Sequence, residues 1–148
     1  MMSLDRYIEL FSDLKPNRSG GRASPHKACL LLAVIDLIDE GVLTDNRIPF
    51  DTSLKDAFSR RFATFSQVGD KDNPALPYFH LTSQGFWRLR AVAGQEAELN
   101  SRLTSRDAPS ANATAKLVEH AMLDDDLYRL LQDDFNRGVL TGVLKNSL

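Results

Sequence analysis

The stretch Ser24–Gly41, S-P-H-K-A-C-L-L-L-A-V-I-D-L-I-D-E-G, constrains this chain more than any other. Ser24 is a favoured helix N-cap, Pro25 suits the first helical position, and Gly41 suits the left-handed residue that follows a helix. Between them Ala28, Cys29, Leu30, Leu31, Leu32, Ala33, Val34, Ile35, Leu37 and Ile38 cover nearly the whole helical circumference. A helix that is apolar all round must be buried on most sides. It is too short, and too closely flanked by charge, to span a bilayer. The pattern predicts the central helix of a soluble domain.

His26 and Lys27 stand in the first turn of that helix, where its dipole disfavours cations. Just upstream, the run from Lys15 through Arg18 and Arg22 to Ser24 contains no acid. Free helix N–H groups, a Gly-Gly loop and several cations together describe a site for an anion such as phosphate. From these residues alone, plain solvation of a helix end by His26 and Lys27 accounts for the pattern equally well.

At 148 residues the chain suits one domain with a real core. A formal charge of −2 argues against a general basic coat for nucleic acid. Bases and acids are nearly balanced up to Gln95, and acids dominate from Glu96 onward, so a DNA-facing surface must be a local patch in the first two-thirds. The single cysteine, Cys29, excludes an internal disulfide framework and most zinc sites, and reads as a core thiol. No signal-peptide pattern or membrane-length segment is present, which predicts a soluble, cytoplasmic protein. His26, His80 and His120 lack ligand spacing, and no G-x-S-x-G, P-loop or dinucleotide fingerprint occurs. Asp124-Asp125-Asp126 reads as a complement to a helix dipole rather than a metal site. No catalytic residue, metal or cofactor is expected.

Along the chain, Ser3–Leu14 predicts an amphipathic helix with Leu4, Tyr7, Ile8, Phe11 and Leu14 on one face. Pro16 and Gly20-Gly21 close it and form a basic loop. After the central helix comes a connector with an extended piece at Val42-Leu43 and a turn at Asp45-Asn46. Asp51 or Ser53 then caps a helix carrying Leu54, Phe58, Phe62 and Phe65 inward and Lys55, Arg60 and Arg61 outward. Tyr78–Thr82 and Phe86–Val92 predict two strands about Ser83-Gln84-Gly85, a short hairpin or wing. A polar helix spans Gly94–Leu103, and Thr104–Thr114 reads as an exposed loop. Lys116–Met122 fits either a strand or a helix, and a strand joining the hairpin is the preferred reading. It precedes an Asp124-capped helix with Leu127, Leu130 and Leu131 inward. Val139-Leu140 and Val143-Leu144 mark a last amphipathic segment. The expected fold class is mainly α with a small antiparallel β hairpin or sheet, a single winged-helix-like DNA-binding domain over residues 1–148. The apolar pattern still running at the end raises the expectation that the natural chain continues.

The pairing of Ser24–Ile38 with N-P-A-L-P-Y-F-H-L-T-S-Q-G-F-W-R-L, Asn73–Leu89, resembles a known family. It is similar to the sulfur-binding domain at the N-terminus of McrA-like HNH restriction endonucleases that act on phosphorothioate-modified DNA. The closing Leu127–Leu131 and Arg137–Leu140 segments also look like the end of that domain. The resemblance implies a mainly helical domain that reads double-stranded DNA in which sulfur replaces one non-bridging phosphate oxygen. It implies backbone contact by His26 and Lys27, with Arg18 and Arg22 adding phosphate affinity. It implicates Asn73, Pro74, Ala75, Pro77 and Tyr78 in a sulfur pocket. This chain departs from the family in having Ala28 after the His-Lys step and Asn73 beside the pocket proline. No HNH motif is present, so cleavage is not implied, and a nuclease, following in the full-length protein or separate, is the partner the resemblance suggests.

Elementary chemistry agrees. Sulfur is larger and less strongly hydrated than oxygen, so a hollow of proline rings and an aromatic accepts it at lower desolvation cost than a phosphate oxygen, which loses hydrogen bonds there. Rim cations supply sequence-independent affinity, while Ser83, Gln84 and Arg88 are candidates for base edges. Two other readings remain open on the residues: a winged-helix-like regulatory domain without interest in sulfur, and a protein-interaction module whose basic loop meets an acidic partner.

Overall fold

The computed structural model describes residues 2–14, 18–19 and 22–148, with the side chains of residues 18, 19, 22 and 23 outside the described set. In chain order the elements are α1 (Leu4–Ser12), β1 (Arg18–Ser19), β2 (Arg22–Ala23), α2 (His26–Asp39), α3 (Thr52–Phe65), α4 (Ala75–His80), a 3-10 turn (Leu81–Gln84), β3 (Trp87–Ala91), α5 (Glu96–Ser105), α6 (Ala111–Leu117), β4 (Val118–Leu123), α7 (Asp125–Leu130) and α8 (Asp134–Asn146). The class is mainly α with a small antiparallel sheet. Among the described residues no helix is long and apolar enough to cross a membrane.

Helix α2 sits in the middle, packed against α3, α4 and α8. Every residue from Lys27 to Ile38 except Asp36 is buried, as expected of a helix without a polar face. Its start lies one position later than the capping pattern suggests. Pro25, in the α region, occupies the N-cap, and Ser24 Oγ only reaches the His26 amide at 3.4 Å. The end is as expected: Gly41 takes φ +74°, and the Val42 and Leu43 amides both return to the Leu37 carbonyl at 3.0 Å. Asp36 forks onto Arg61 of α3 with two 2.7 Å bonds. Arg60 faces Glu40 at 4.0 Å, and the Lys55 ammonium lies 4.7 Å from the Phe50 ring centre. The basic row on α3 therefore ties elements together.

Helix α1 begins at Ser3, whose hydroxyl accepts from Arg6 N, and it buries Tyr7 and Phe11. It packs on α8. The run expected as an open basic loop forms a two-residue antiparallel ladder, with Arg18 opposite Ala23 and Ser19 opposite Arg22. The expected turn at Pro16 and Gly20-Gly21 lies outside the described residues. Asp51 caps α3 through the Leu54 amide at 3.0 Å.

The strand expected at Tyr78–Thr82 is helix instead. Pro74 takes the N-cap of α4 and Pro77 its third position, where no intrahelical N–H bond is missed. Gly85, at φ +88°, ends the 3-10 turn that follows. Strand β3 pairs instead with β4, from Trp87 opposite Leu123 to Ala91 opposite Val118, with an irregularity between Arg90 and Ala91. The connector after α2 joins this sheet through a bridge of Ile48 with Ala121. Asn46 extends it, donating to the Leu123 carbonyl at 2.8 Å and accepting from the Leu123 amide at 2.9 Å. The segment expected as a loop contains α6, capped by the Ser110 hydroxyl on the Ala113 amide at 3.1 Å. Asp124 precedes α7 but makes no side-chain cap bond. It accepts from the Tyr7 hydroxyl at 3.0 Å and from Arg88 at 3.2 Å.

Candidate nucleic-acid interface

The start of α2 and the start of α4 share one surface, held together by His26. Its Nε2 lies 2.6 Å from the Lys71 carbonyl, which can only accept, so the neutral ring carries its proton at Nε2. Its Nδ1 is then the acceptor for the Ser24 hydroxyl. The ring rests on Phe62 with centroids 4.9 Å apart. Both ring nitrogens are thus engaged within the protein, and His26 fastens the segment before Pro74 onto the first turn of α2. Lys27, expected as a surface cation, is only 6% exposed. It borders a small cavity shared with Ser12, Leu14, Ser24, Ala28, Ser147 and Leu148. The side chains of Arg18 and Arg22 lie outside the described residues.

Within the proline-led stretch, exposure falls steeply along the chain. Asn73 is exposed, Pro74 and Leu76 are half-buried, and Ala75, Pro77 and Tyr78 are buried. Tyr78 is a core residue: its hydroxyl donates to the Ile48 carbonyl at 2.7 Å, and its own carbonyl accepts from Trp87 Nε1 at 2.9 Å. Burial pushes its phenol pKa up. Helical geometry is the reason. In a strand Tyr78 and His80 share a face, whereas in α4 two residues are about 200° apart, which turns Tyr78 inward and His80 outward.

His80, Phe79, Thr82, Ser83, Leu103 and Arg106 line a groove of about 270 Å³ between α4 and α5. Ser83 is exposed and donates to the His80 carbonyl at 2.9 Å. Gln84 is half-buried beside it in the 3-10 turn. Arg88 is exposed on β3 and paired with Asp124, so it stands on a different element from Ser83 and Gln84. His80 is held below the ordinary histidine range, first by burial and then by the positive charges of Lys27 and Arg106. The positive charges of Lys27 on α2 and Arg106 at the end of α5 thus both act on the groove that His80 borders. Sequence reading noted His80 without a role and passed over Arg106. The signal for His80 was hidden by the strand reading, and Arg106 lies in a polar stretch without periodicity.

Among the described residues no group of three or more His, Cys, Asp or Glu side chains could hold a metal ion. The Asp124-Asp125-Asp126 run has structural partners: besides Tyr7 and Arg88 on Asp124, Asp126 accepts from the Met2 amide at 2.8 Å and faces Arg129 at 3.3 Å.

A family model described as the ScoMcrA-like DNA sulfur-binding domain matches residues 4–145. No curated protein matches the chain. The fold is similar to the sulfur binding domain of SprMcrA, solved with phosphorothioated DNA: TM-score 0.67, 15% identity, covering 99% of this chain and 85% of that one. It is similar also to the sulfur binding domain of ScoMcrA, again with phosphorothioated DNA: TM-score 0.63, 20% identity, covering 95% and 86%. A ScoMcrA structure that adds an SRA domain gives TM-score 0.62 and 18% identity over 93% of this chain and 41% of that one.

Proposed function

The chain belongs to the ScoMcrA-like DNA sulfur-binding domain family, and from that premise we propose that it recognises double-stranded DNA carrying a backbone phosphorothioate, as a binding module that targets a nuclease activity located elsewhere. The observation that carries this reading is the 2.6 Å contact between His26 and the Lys71 carbonyl, together with the packing of α2 on α4. It draws the His-Lys step and the proline-led turn onto one surface. Sulfur then rests on the Pro74 ring and the exposed edge of Leu76, with Asn73 at the rim and with Ala75, Pro77 and Tyr78 as the buried backing. An ordinary phosphate oxygen at that wall loses hydration without gaining a donor, which sets the preference. Buried Lys27 contributes positive potential from below, and Arg18 and Arg22 on the β1–β2 ladder add phosphate affinity. Ser83, Gln84 and Arg88 remain candidates for base edges.

Gel shifts with matched duplexes test the site. Pro74→Ser removes the ring surface and offers a hydroxyl to an ordinary oxygen. The affinity ratio between modified and ordinary DNA is expected to fall by about ten- to two-hundredfold, the effect of one lost apolar contact. Arg22→Ala is expected to weaken binding to both duplexes and leave the ratio unchanged. A large wild-type ratio indifferent to Pro74→Ser would move the pocket elsewhere.

A further inference from the structure

We propose that the groove between α4 and α5 is a second anion seat, distinct from the sulfur wall, in which Arg106 grips an unmodified phosphodiester of the same DNA. The proposal rests on the DNA-binding reading above and extends it to residues at the far end of α4.

Three observations converge. First, the groove of about 270 Å³ is lined by Phe79, His80, Thr82, Ser83, Leu103 and Arg106, with no carboxylate among them. Lys27 adds charge close enough to be felt at His80. Second, Arg106 makes no ion pair among the described residues, whereas Arg102 on the same helix is held by Glu98 at 3.3 Å and by Asp107 at 3.5 Å. Third, Arg106 caps α5 at φ +56°, the one non-glycine residue with positive φ among those described. That conformation suits glycine or asparagine. The backbone of Arg106 closes α5, its amide donating to the Arg102 carbonyl, a task glycine or asparagine performs equally well, while its side chain has no carboxylate to pair with.

The donor set narrows the ligand. The Thr82 hydroxyl donates to the Phe79 carbonyl at 2.8 Å and the Ser83 hydroxyl to the His80 carbonyl at 2.9 Å, so their hydrogens are already engaged. Arg106 and His80 are left as the groups facing an incoming oxyanion. A guanidinium fork matches phosphate oxygens in two parallel bonds. The apolar floor of Phe79 and Leu103 suits the face of a deoxyribose. The seat therefore contributes affinity and register rather than discrimination between sulfur and oxygen.

The test is Arg106→Asn, which removes the charge while keeping a residue that tolerates the left-handed cap, with Arg106→Lys as the charge-restoring control. Binding of Arg106→Asn to both matched duplexes is expected to weaken by about tenfold. The slope of log affinity against log salt should become shallower by about one unit. The ratio between duplexes should hold, the melting temperature should not fall, and Arg106→Lys should recover most of the slope. Inorganic phosphate added to the free protein should shift the His80 ring resonances saturably in the wild type and not in Arg106→Asn. An unchanged salt slope overturns the proposal, even if phosphate alone shifts His80, since the groove would then serve a free anion. A loss confined to modified DNA also overturns it, by merging the groove with the sulfur wall. Failure of the parent reading looks different: the wild-type ratio is one, while the slope on ordinary DNA still reports on Arg106.

Discussion

Replacing Tyr78 by phenylalanine separates a residue that supports the interface from one that touches the ligand. The ring is fully buried, with centroids 5.0 Å from Phe50 and 5.6 Å from Trp87, the latter edge-on at 85°. Phenylalanine keeps all of that packing. What disappears is the 2.7 Å hydrogen bond to the Ile48 carbonyl. That carbonyl also accepts from the Ala121 amide at 2.8 Å, so it is not orphaned. The loss should therefore lie in the lower part of the usual range, about 0.5–1 kcal/mol. For a domain of this size that lowers the melting temperature by about 1–4 °C. Urea unfolding followed by the fluorescence of Trp87 should show a lower midpoint at unchanged slope. Affinity for modified and ordinary DNA should be unaltered at temperatures where the variant is folded. A variant as stable as the wild type that has lost its preference for modified DNA would refute this, because the phenol would then be a ligand contact.

Two further outcomes follow from titrating groups. Burial, reinforced by the charge of Asp70 against the opposing Arg61, pushes the Cys29 thiol up to about 12, so thiol reagents should label the native protein only at its rate of opening; rapid labelling in native buffer would contradict a core thiol. His80 sits below the ordinary histidine value through burial, Lys27 and Arg106, so the unfolded chain binds a proton at pH values where the folded chain does not. Stability should then fall as pH drops through about 6.5, and His80→Gln should flatten that limb relative to wild type in urea midpoints taken between about pH 7.5 and 5.5. An identical pH dependence in the two proteins would count against this surrounding for His80.

The sequence was most legible where one physical demand dominated. An apolar circumference from Ala28 to Ile38, broken only at Asp36, leaves a helix no place but the centre, and Gly41 marks its end without ambiguity. Tyr78–Thr82 was misread because a short aromatic and apolar run carries no period of its own. What decides it is Pro74 and Pro77 at the start of a helix, and the long-range bonds of Tyr78 to Ile48 and of Trp87 to Tyr78. Helix α6 was invisible for a similar reason, since its start depends on one serine cap in a polar stretch. At the interface, the two stretches that meet were legible by resemblance to a family. The roles of individual side chains were not, because the burial of Lys27 and the contact of His26 Nε2 with the Lys71 carbonyl, 45 residues away, are set by the tertiary fold. Arg106 carries no local pattern, and only the groove it borders singles it out.

The most direct measurement is the ratio of dissociation constants for two duplexes identical except for one backbone sulfur, taken with the wild-type chain at a single salt concentration. If the surface joining His26 to Pro74 recognises phosphorothioated DNA, the modified duplex should bind at least about tenfold more tightly, the least that one apolar contact contributes. Equal binding of the two duplexes would contradict the account.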